Sequence, residues 1–169
     1  MKSTNLFTSL FLFNILVIPS HATETQMLFS WLEADDNSAF VGYKSDNNTE
    51  SKFLEANISH SESGEQKLYF RDLSSTGNRL CQQESTVPDV TTMKFNGQAV
   101  KMSRWCKQYS YSSNYYIYLT PTTEIGHQYV VDLFKKSLTP INIQFNSESI
   151  SFPVTGFTNA WENAGGDAI

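Results

Sequence analysis

The chain has 169 residues, with 12 Lys and Arg against 17 Asp and Glu, for a formal net charge of −5. That length suits one domain with a real core. The acidic balance, with Lys135-Lys136 as the only adjacent basic pair, excludes a surface built for nucleic-acid phosphates.

The first element is a leader. Lys2 is the only charge before Glu24, Leu6 to Ile18 is a mainly Leu, Phe, Ile and Val run, and Pro19-Ser20-His21-Ala22 closes it with small residues three and one before a cut. This is the order of a secretory signal peptide. The run is shorter than the roughly 20 residues a stable membrane span needs. A signal peptide is therefore predicted over residues 1–22, with the mature chain starting at Thr23. Removing a leader that holds one Lys and no acid takes the net charge from −5 to −6. No second long apolar run follows, so no stable membrane span is expected in the mature chain. Cys81 and Cys106 are the only thiols. An even pair in an exported chain predicts one disulfide, worth about 3.5 kcal/mol through loop closure. The expected location is the bacterial periplasm or the medium outside the cell.

Short alternating runs then dominate. Met27-Phe29-Trp31 alternates with Leu28-Ser30-Leu32, a turn falls at Asp35-Asp36-Asn37-Ser38, and Ala39 to Tyr43 reads as the return strand. Lys52 to Ser59 places Leu54, Ala56 and Ile58 on one face and Glu55 and Asn57 on the other, a half-buried strand. Lys67 to Asp72 alternates again with Leu68 and Phe70 inward. After a turn at Ser74-Ser75-Thr76-Gly77, Arg79 to Glu84 is expected to be a strand carrying Cys81. Met93 to Val100 is the clearest hairpin, because Asn96-Gly97 supplies the two positive-φ residues of a type I′ turn. Arg104-Trp105-Cys106 follows it, and Tyr115 to Thr120 is a further strand.

The period then changes. Ile125, Tyr129 and Leu133 recur every fourth residue, with Val130 and Phe134 beside them, predicting an amphipathic helix over 125–137. Lys135 and Lys136 favour its C-terminal dipole end and Pro140 stops it. Ile141 to Phe145 and Ser149 to Val154 form a closing hairpin around Asn146-Ser147-Glu148. Pro153 places the last strand at an edge or ends it. Thr158 to Asn163 is expected to make a turn or two of helix with Trp161 packing back, and residues 164–169 a flexible, frayed tail.

Together these elements predict a single mainly-β domain over 23–163. Its expected form is an antiparallel β-sandwich or open barrel with one amphipathic helix near the C-terminus, covering an open end or face. The alternative is an α+β layer with the helix on a single antiparallel sheet.

Chemistry is sparse. No G-x-S-x-G elbow, phosphate loop, C-x-x-C or paired-His metal spacing occurs. Asp35-Asp36-Asn37 and Asp46-Asn47-Asn48-Thr49-Glu50 are oxygen-rich but lack the alternating carboxylates and turn Gly of a Ca²⁺ loop and read as turn starters. Glu33, Asp35, Glu55 and Glu84 carry no pairing signal for glycoside hydrolysis. His60 reads as a loop residue and His127 as a surface or boundary residue in the first helical turn. No catalytic set, metal or cofactor is expected.

One stretch stands out. Gln108 to Tyr118 holds five of the eight Tyr, with Ser and Asn between them. Tyr gives large contact area at low entropic cost and Ser and Asn give adaptable hydrogen bonds, the mixture that binding loops use. Tyr109, Tyr111, Tyr115 and Tyr116 are the candidate binding residues, although Tyr115 to Tyr118 could also be ordinary cross-strand packing. The expected function is an exported, non-enzymatic binding module. It would be of inhibitor or immunity type, taking an extracytoplasmic protein (a toxin or hydrolase) or a glycan. Two alternatives stand beside it. One is a hydrolase assembled around His127 or His60, and the other is a structural subunit of a cell-envelope assembly.

Overall fold

A computed structural model describes residues 25–31, 37–44, 51–74, 80–146 and 148–167. The predicted leader, its predicted cut after Ala22, and Asp35 and Asp36 of the turn expected over Asp35–Ser38 lie outside them. Among the described residues nine strands form one antiparallel sheet: β1 (Thr25–Phe29), β2 (Ser38–Lys44), β3 (Ser51–His60), β4 (Gln66–Asp72), β5 (Asp89–Phe95), β6 (Gln98–Gln108), β7 (Tyr115–Pro121), β8 (Ile141–Phe145) and β9 (Glu148–Phe152). Their spatial order is β1-β2-β3-β4-β7-β6-β5-β8-β9. The sheet curls until β9 approaches β2, so eight strands make a nearly closed barrel with β1 outside it. The open-barrel expectation is realised. A curled sheet turns one face of each of the eight barrel strands toward a shared interior, which a flat layer of this length cannot do.

The two-residue period sets which side chains enter. Val41 faces Leu54, Ala56 faces Phe70, and Met93 faces Val100 across their ladders, and all six are buried. Asn96 and Gly97 have φ of 47° and 87°, the positive values that a two-residue hairpin matching the sheet's twist requires.

Two helices close one end: α1 (Glu124–Lys136) and α2 (Phe157–Asn163). Thr123 caps α1 by accepting a hydrogen bond from the Gly126 amide at 3.1 Å, and Glu124 lies in the first turn where the helix dipole favours an anion. Phe134 drives the docking. Its ring meets Phe70, Phe152, Phe157 and Trp31 at 5.0–6.2 Å. Trp31, 1% exposed, enters the same end and donates its indole N–H to the Pro153 carbonyl at 3.2 Å. Pro153 lies just past the end of β9, an outermost strand, as its missing N–H requires.

Two expectations need correction. Of the strand expected over Arg79 to Glu84, Arg79 lies outside the described residues, and Cys81 to Pro88 forms no strand. Gln82, Gln83 and Glu84 are all exposed, so the segment has no alternating buried face to hold in a sheet. Cys106 clamps it instead. The Cys81–Cys106 disulfide is formed, with Cα atoms 5.4 Å apart. The Ser85 amide donates to the Cys106 carbonyl, and the Cys106 amide donates to the Ser85 hydroxyl. The buried stripe of α1 is also rotated from the expected one. It runs through His127, Val130, Val131 and Phe134, a proper i, i+3, i+4, i+7 pattern, whereas Ile125 is 85% exposed. Among the described residues no helix is long and apolar enough to cross a membrane.

Candidate functional site

The tyrosine segment joins the barrel at the end that carries the disulfide, opposite the helices. β6 pairs with β7 so that Cys106 faces Ile117 and Gln108 faces Tyr115. Tyr115, Ile117 and Leu119 therefore share the inward face. Tyr115 is half-buried against the core, outside the surface that its neighbours make. Tyr116 and Tyr118 point outward.

The connection between β6 and β7 is tied by the Tyr109 amide to the Asn114 carbonyl at 3.1 Å, with Ser112 also bonded to Gln108 and Asn114. This turn returns Tyr109 and Tyr111 to the outer face. Ring centroids then follow in sequence: Tyr111 to Tyr109 at 5.4 Å, Tyr109 to Tyr116 at 4.8 Å, Tyr116 to Tyr118 at 6.4 Å, and Tyr118 to Tyr69 of β4 at 5.0 Å. These spacings lie within the range of attractive aromatic contacts. Tyr111 is 83% exposed, while Tyr69 is 8% exposed, so the stripe runs from a free ring to an anchored one.

Charge borders the stripe. Arg71 faces Tyr118 across the β4–β7 ladder and Glu55 across β3–β4, and its guanidinium pairs with the Glu55 carboxylate. Partial burial, with Tyr111 and Tyr116 beside it, pushes the Tyr109 hydroxyl up to about 12. Burial likewise raises Tyr118 and Tyr69. The three phenols stay protonated across physiological pH and so keep a donor as well as an acceptor.

A second concave region lies at the helix end. A cleft of about 430 Å³ is lined by the start of β4, by α1 and by the C-terminal segment, including Lys67, Glu124, His127, Trp161 and Asp167. Gln66 fastens its far wall. Its amide N–H donates to the Asp167 carboxylate, its side-chain NH₂ to the Trp161 carbonyl, and its side-chain oxygen accepts from the Gly166 amide, all at 2.7–2.8 Å. His60 Nε2 donates to the Gly166 carbonyl at 2.6 Å. The expected frayed tail is thus hydrogen-bonded back onto β4 over its described residues. The Gly pair, which in sequence suggests fraying, makes the turn that allows this. Gly165 and Gly166 have φ of 99° and 68°, a left-handed turn that glycine makes at little cost.

His127, expected at the surface or boundary, is buried at 8% exposure. Its ring lies 5.8 Å from that of Trp161, and its Nε2 is enclosed with no hydrogen-bond partner among the described residues. A buried polar atom left so costs about 1–3 kcal/mol. Burial lowers the imidazole pKa, opposed by Glu124, so the ring is neutral at pH 7. Among the described residues that line the cleft there is no Ser, and His60 is bonded to the Gly166 carbonyl. Among the described residues no three His, Cys, Asp or Glu side chains come together as a metal site.

In comparisons with known proteins, the chain matches no family model, no curated sequence and no solved structure.

Proposed function

We propose that this protein is an exported, non-enzymatic binding module that recognises an extracytoplasmic protein through its outer tyrosine face, in the manner of an inhibitor or immunity-type protein. The observation that carries this reading is the unbroken chain of five tyrosine rings from Tyr111 to Tyr69, bordered by the Arg71–Glu55 pair. Tyr and Arg are the residues that dominate binding energy at protein interfaces. They present wide, stiff surface and directional donors together. The Cys81–Cys106 bridge lies two residues before this segment begins and fixes its entry, which lowers the cost of ordering it on binding. The leader pattern of residues 1–22 and a formed disulfide support an oxidising compartment, the periplasm or the medium.

The test is a triple variant, Tyr109→Ala, Tyr111→Ala and Tyr116→Ala, expressed with its leader. A partner captured stoichiometrically from the envelope by the wild type should be lost by at least about tenfold, with the far-UV spectrum unchanged. Undiminished capture by a folded variant would refute the site.

A structural role in an envelope assembly has one supporting observation, that β1 is an end strand of the sheet among the described residues. An outermost strand can accept another chain's strand. Monomeric behaviour at high concentration would remove this reading.

A further inference from the structure

The barrel wall is not paired along its whole length. β5 pairs with β6 from Asp89 to Phe95, but with β8 only at Lys94 and Phe95. β8 goes no further because the chain turns toward β9 at Asn146, with φ of 49°. In an antiparallel strand, alternate residues aim their N–H and C=O groups to the same side. On β5 the side away from β6 is marked by Asn96, whose N–H donates to the Asn142 carbonyl at 2.8 Å, and by Lys94, which pairs with Gln144. Thr92 and Val90 continue that series. Their four backbone groups point the same way and have no partner among the described residues. Val90 is 63% exposed, so this edge is open to solvent. A groove of about 460 Å³ lies where β8 parts from β5, bordered by Thr92, Lys94, Gln144, Asn146 and Glu148.

We propose that this free edge takes up an extended acidic segment of another protein as an added strand, antiparallel to β5.

Charge decides the chemistry of that segment. Met93 and Phe95 are buried, so Val90, Thr92 and Lys94 lie on the outer face. Lys101 sits directly across from Thr92 on β6, and Lys94 two residues along β5. In a protein of net charge −5, Lys67, Arg71, Arg104, Lys107 and Lys136 are each paired with a carboxylate, and Lys135 lies over Trp161. Lys94 and Lys101 are exposed and have no such partner among the described residues. Glu148, on the far side of the groove, has a partner of its own.

An incoming residue opposite Thr92 has Lys94 on its diagonal and Lys101 behind the short Thr92 side chain, so a carboxylate there meets both ammonium groups. The next outward residue of the incoming strand lies over Val90 and is apolar. Antiparallel to β5, that strand reads acid-x-apolar from its N-terminal side. Backbone bonds to Val90 and Thr92 hold it, and alternate side chains select it, as in other cases of strand addition. A second copy of this chain fits less well. Pairing about a two-fold at Thr91 sets Val90 opposite Thr92 and offers the lysines no acid.

The probe is the capped peptide acetyl-Ser-Thr-Glu-Thr-Val-Thr-Ser-amide, titrated to about 5 mM into the exported, disulfide-bonded protein and followed by amide NMR. Saturable shifts are expected at 89–94 and 144–148, with a Kd of about 1 mM. Lys in place of the peptide's Glu should weaken binding by about fivefold. N-methylation of its Glu and Val amides should abolish it, because those donors face the Thr92 and Val90 carbonyls. On the protein, Val90→Pro removes an edge N–H without touching a bond to β6, and should weaken binding by about tenfold. Should that variant fail to fold, Lys94→Ser with Lys101→Ser, at exposed positions, should bring the Glu and Lys peptides to equal affinity. Tyr111→Ala should change nothing. Absence of saturable shifts at 89–94 overturns the proposal. So does undiminished binding of the N-methylated or the Lys peptide, or of the Glu peptide to the folded Val90→Pro protein. Concentration-dependent shifts at 89–92 in the protein alone would also overturn it, by giving the edge to a second copy.

Discussion

The tyrosine face takes four of its five rings from the stretch between Gln108 and Tyr118 and only Tyr69 from elsewhere, whereas the cleft joins residues 101 positions apart, as in the bond from Gln66 to Asp167. The first is a local composition displayed on one hairpin. The second exists only because the barrel brings the start of β4, one helix and the C-terminal segment to the same end. The two also differ in what their polar groups lack. The tyrosine hydroxyls sit on a partly solvated face, while His127 keeps an enclosed nitrogen without a partner. A local surface can change its chemistry with little cost to the fold. An assembled cleft cannot, because its walls are also the packing of the barrel's end.

That contrast can be broken most severely at Phe134. Its ring joins α1 to Trp31, Phe70, Phe152 and Phe157, and Phe134→Ala should cost about 3–5 kcal/mol in chemical denaturation. Amide exchange should rise first in α1 and in 165–167, around the cleft, and less at Tyr116 to Tyr118. A uniform rise would mean that the two ends share one cooperative unit.

The reverse perturbation is Cys81→Ser with Cys106→Ser, expected to lower stability by about 3.5 kcal/mol. Here exchange should rise at 81–88 and 106–114 and spare the cleft. A loss confined to the helix end would contradict the assignment of the disulfide to the tyrosine region.

His127→Phe sharpens the contrast in the opposite direction. The variant removes an unbonded nitrogen from a buried site, so stability at pH 7 should hold or rise by up to about 1–2 kcal/mol. The wild type also carries a pH signature. Its imidazole pKa is lowered on folding, so the unfolded chain binds the extra proton first. Stability should therefore fall as pH drops below about 6.5, the ordinary His value, and this part of the fall should vanish in His127→Phe. A marked loss at pH 7 would show that Nε2 has a structural partner.

The smallest effect belongs to Tyr111→Ala. At 83% exposure the ring contributes little to folding, and a change within about 0.5 kcal/mol is expected by thermal melting. A larger loss would make the stripe packing rather than a surface held for a partner.

What the sequence disclosed follows the same division. Alternation at Leu54, Ala56 and Ile58 and at Leu68 and Phe70 marked the inward faces, because a two-residue period is a local property. Asn96-Gly97 marked its hairpin for the same reason. The tyrosine cluster was visible as composition, but Tyr69 was not, because its place beside Tyr118 depends on β4 pairing with β7 across an intervening hairpin. The helix was found but its buried side was misread. The four-residue recurrence of Ile125, Tyr129 and Leu133 points to one stripe, while the buried stripe starts at His127, a polar residue that an apolar period does not count. Cys81 was given a strand because the covalent tie that actually holds it leaves no period in the residues around it. The anchored tail gave only Gly165-Gly166, a pair that reads equally as looseness or as a left-handed turn until Gln66 is seen opposite.

The most direct test of the central assignment is site-specific photocrosslinking in living cells, with a photoreactive phenylalanine analogue placed at Tyr111 and, in a separate control, at Leu138, which is fully exposed beyond α1. The account predicts one discrete envelope-protein adduct from position 111, abolished by adding Tyr109→Ala and Tyr116→Ala, and none from position 138. Equal adducts at both positions, or an adduct at 111 that survives loss of the neighbouring rings, would contradict it.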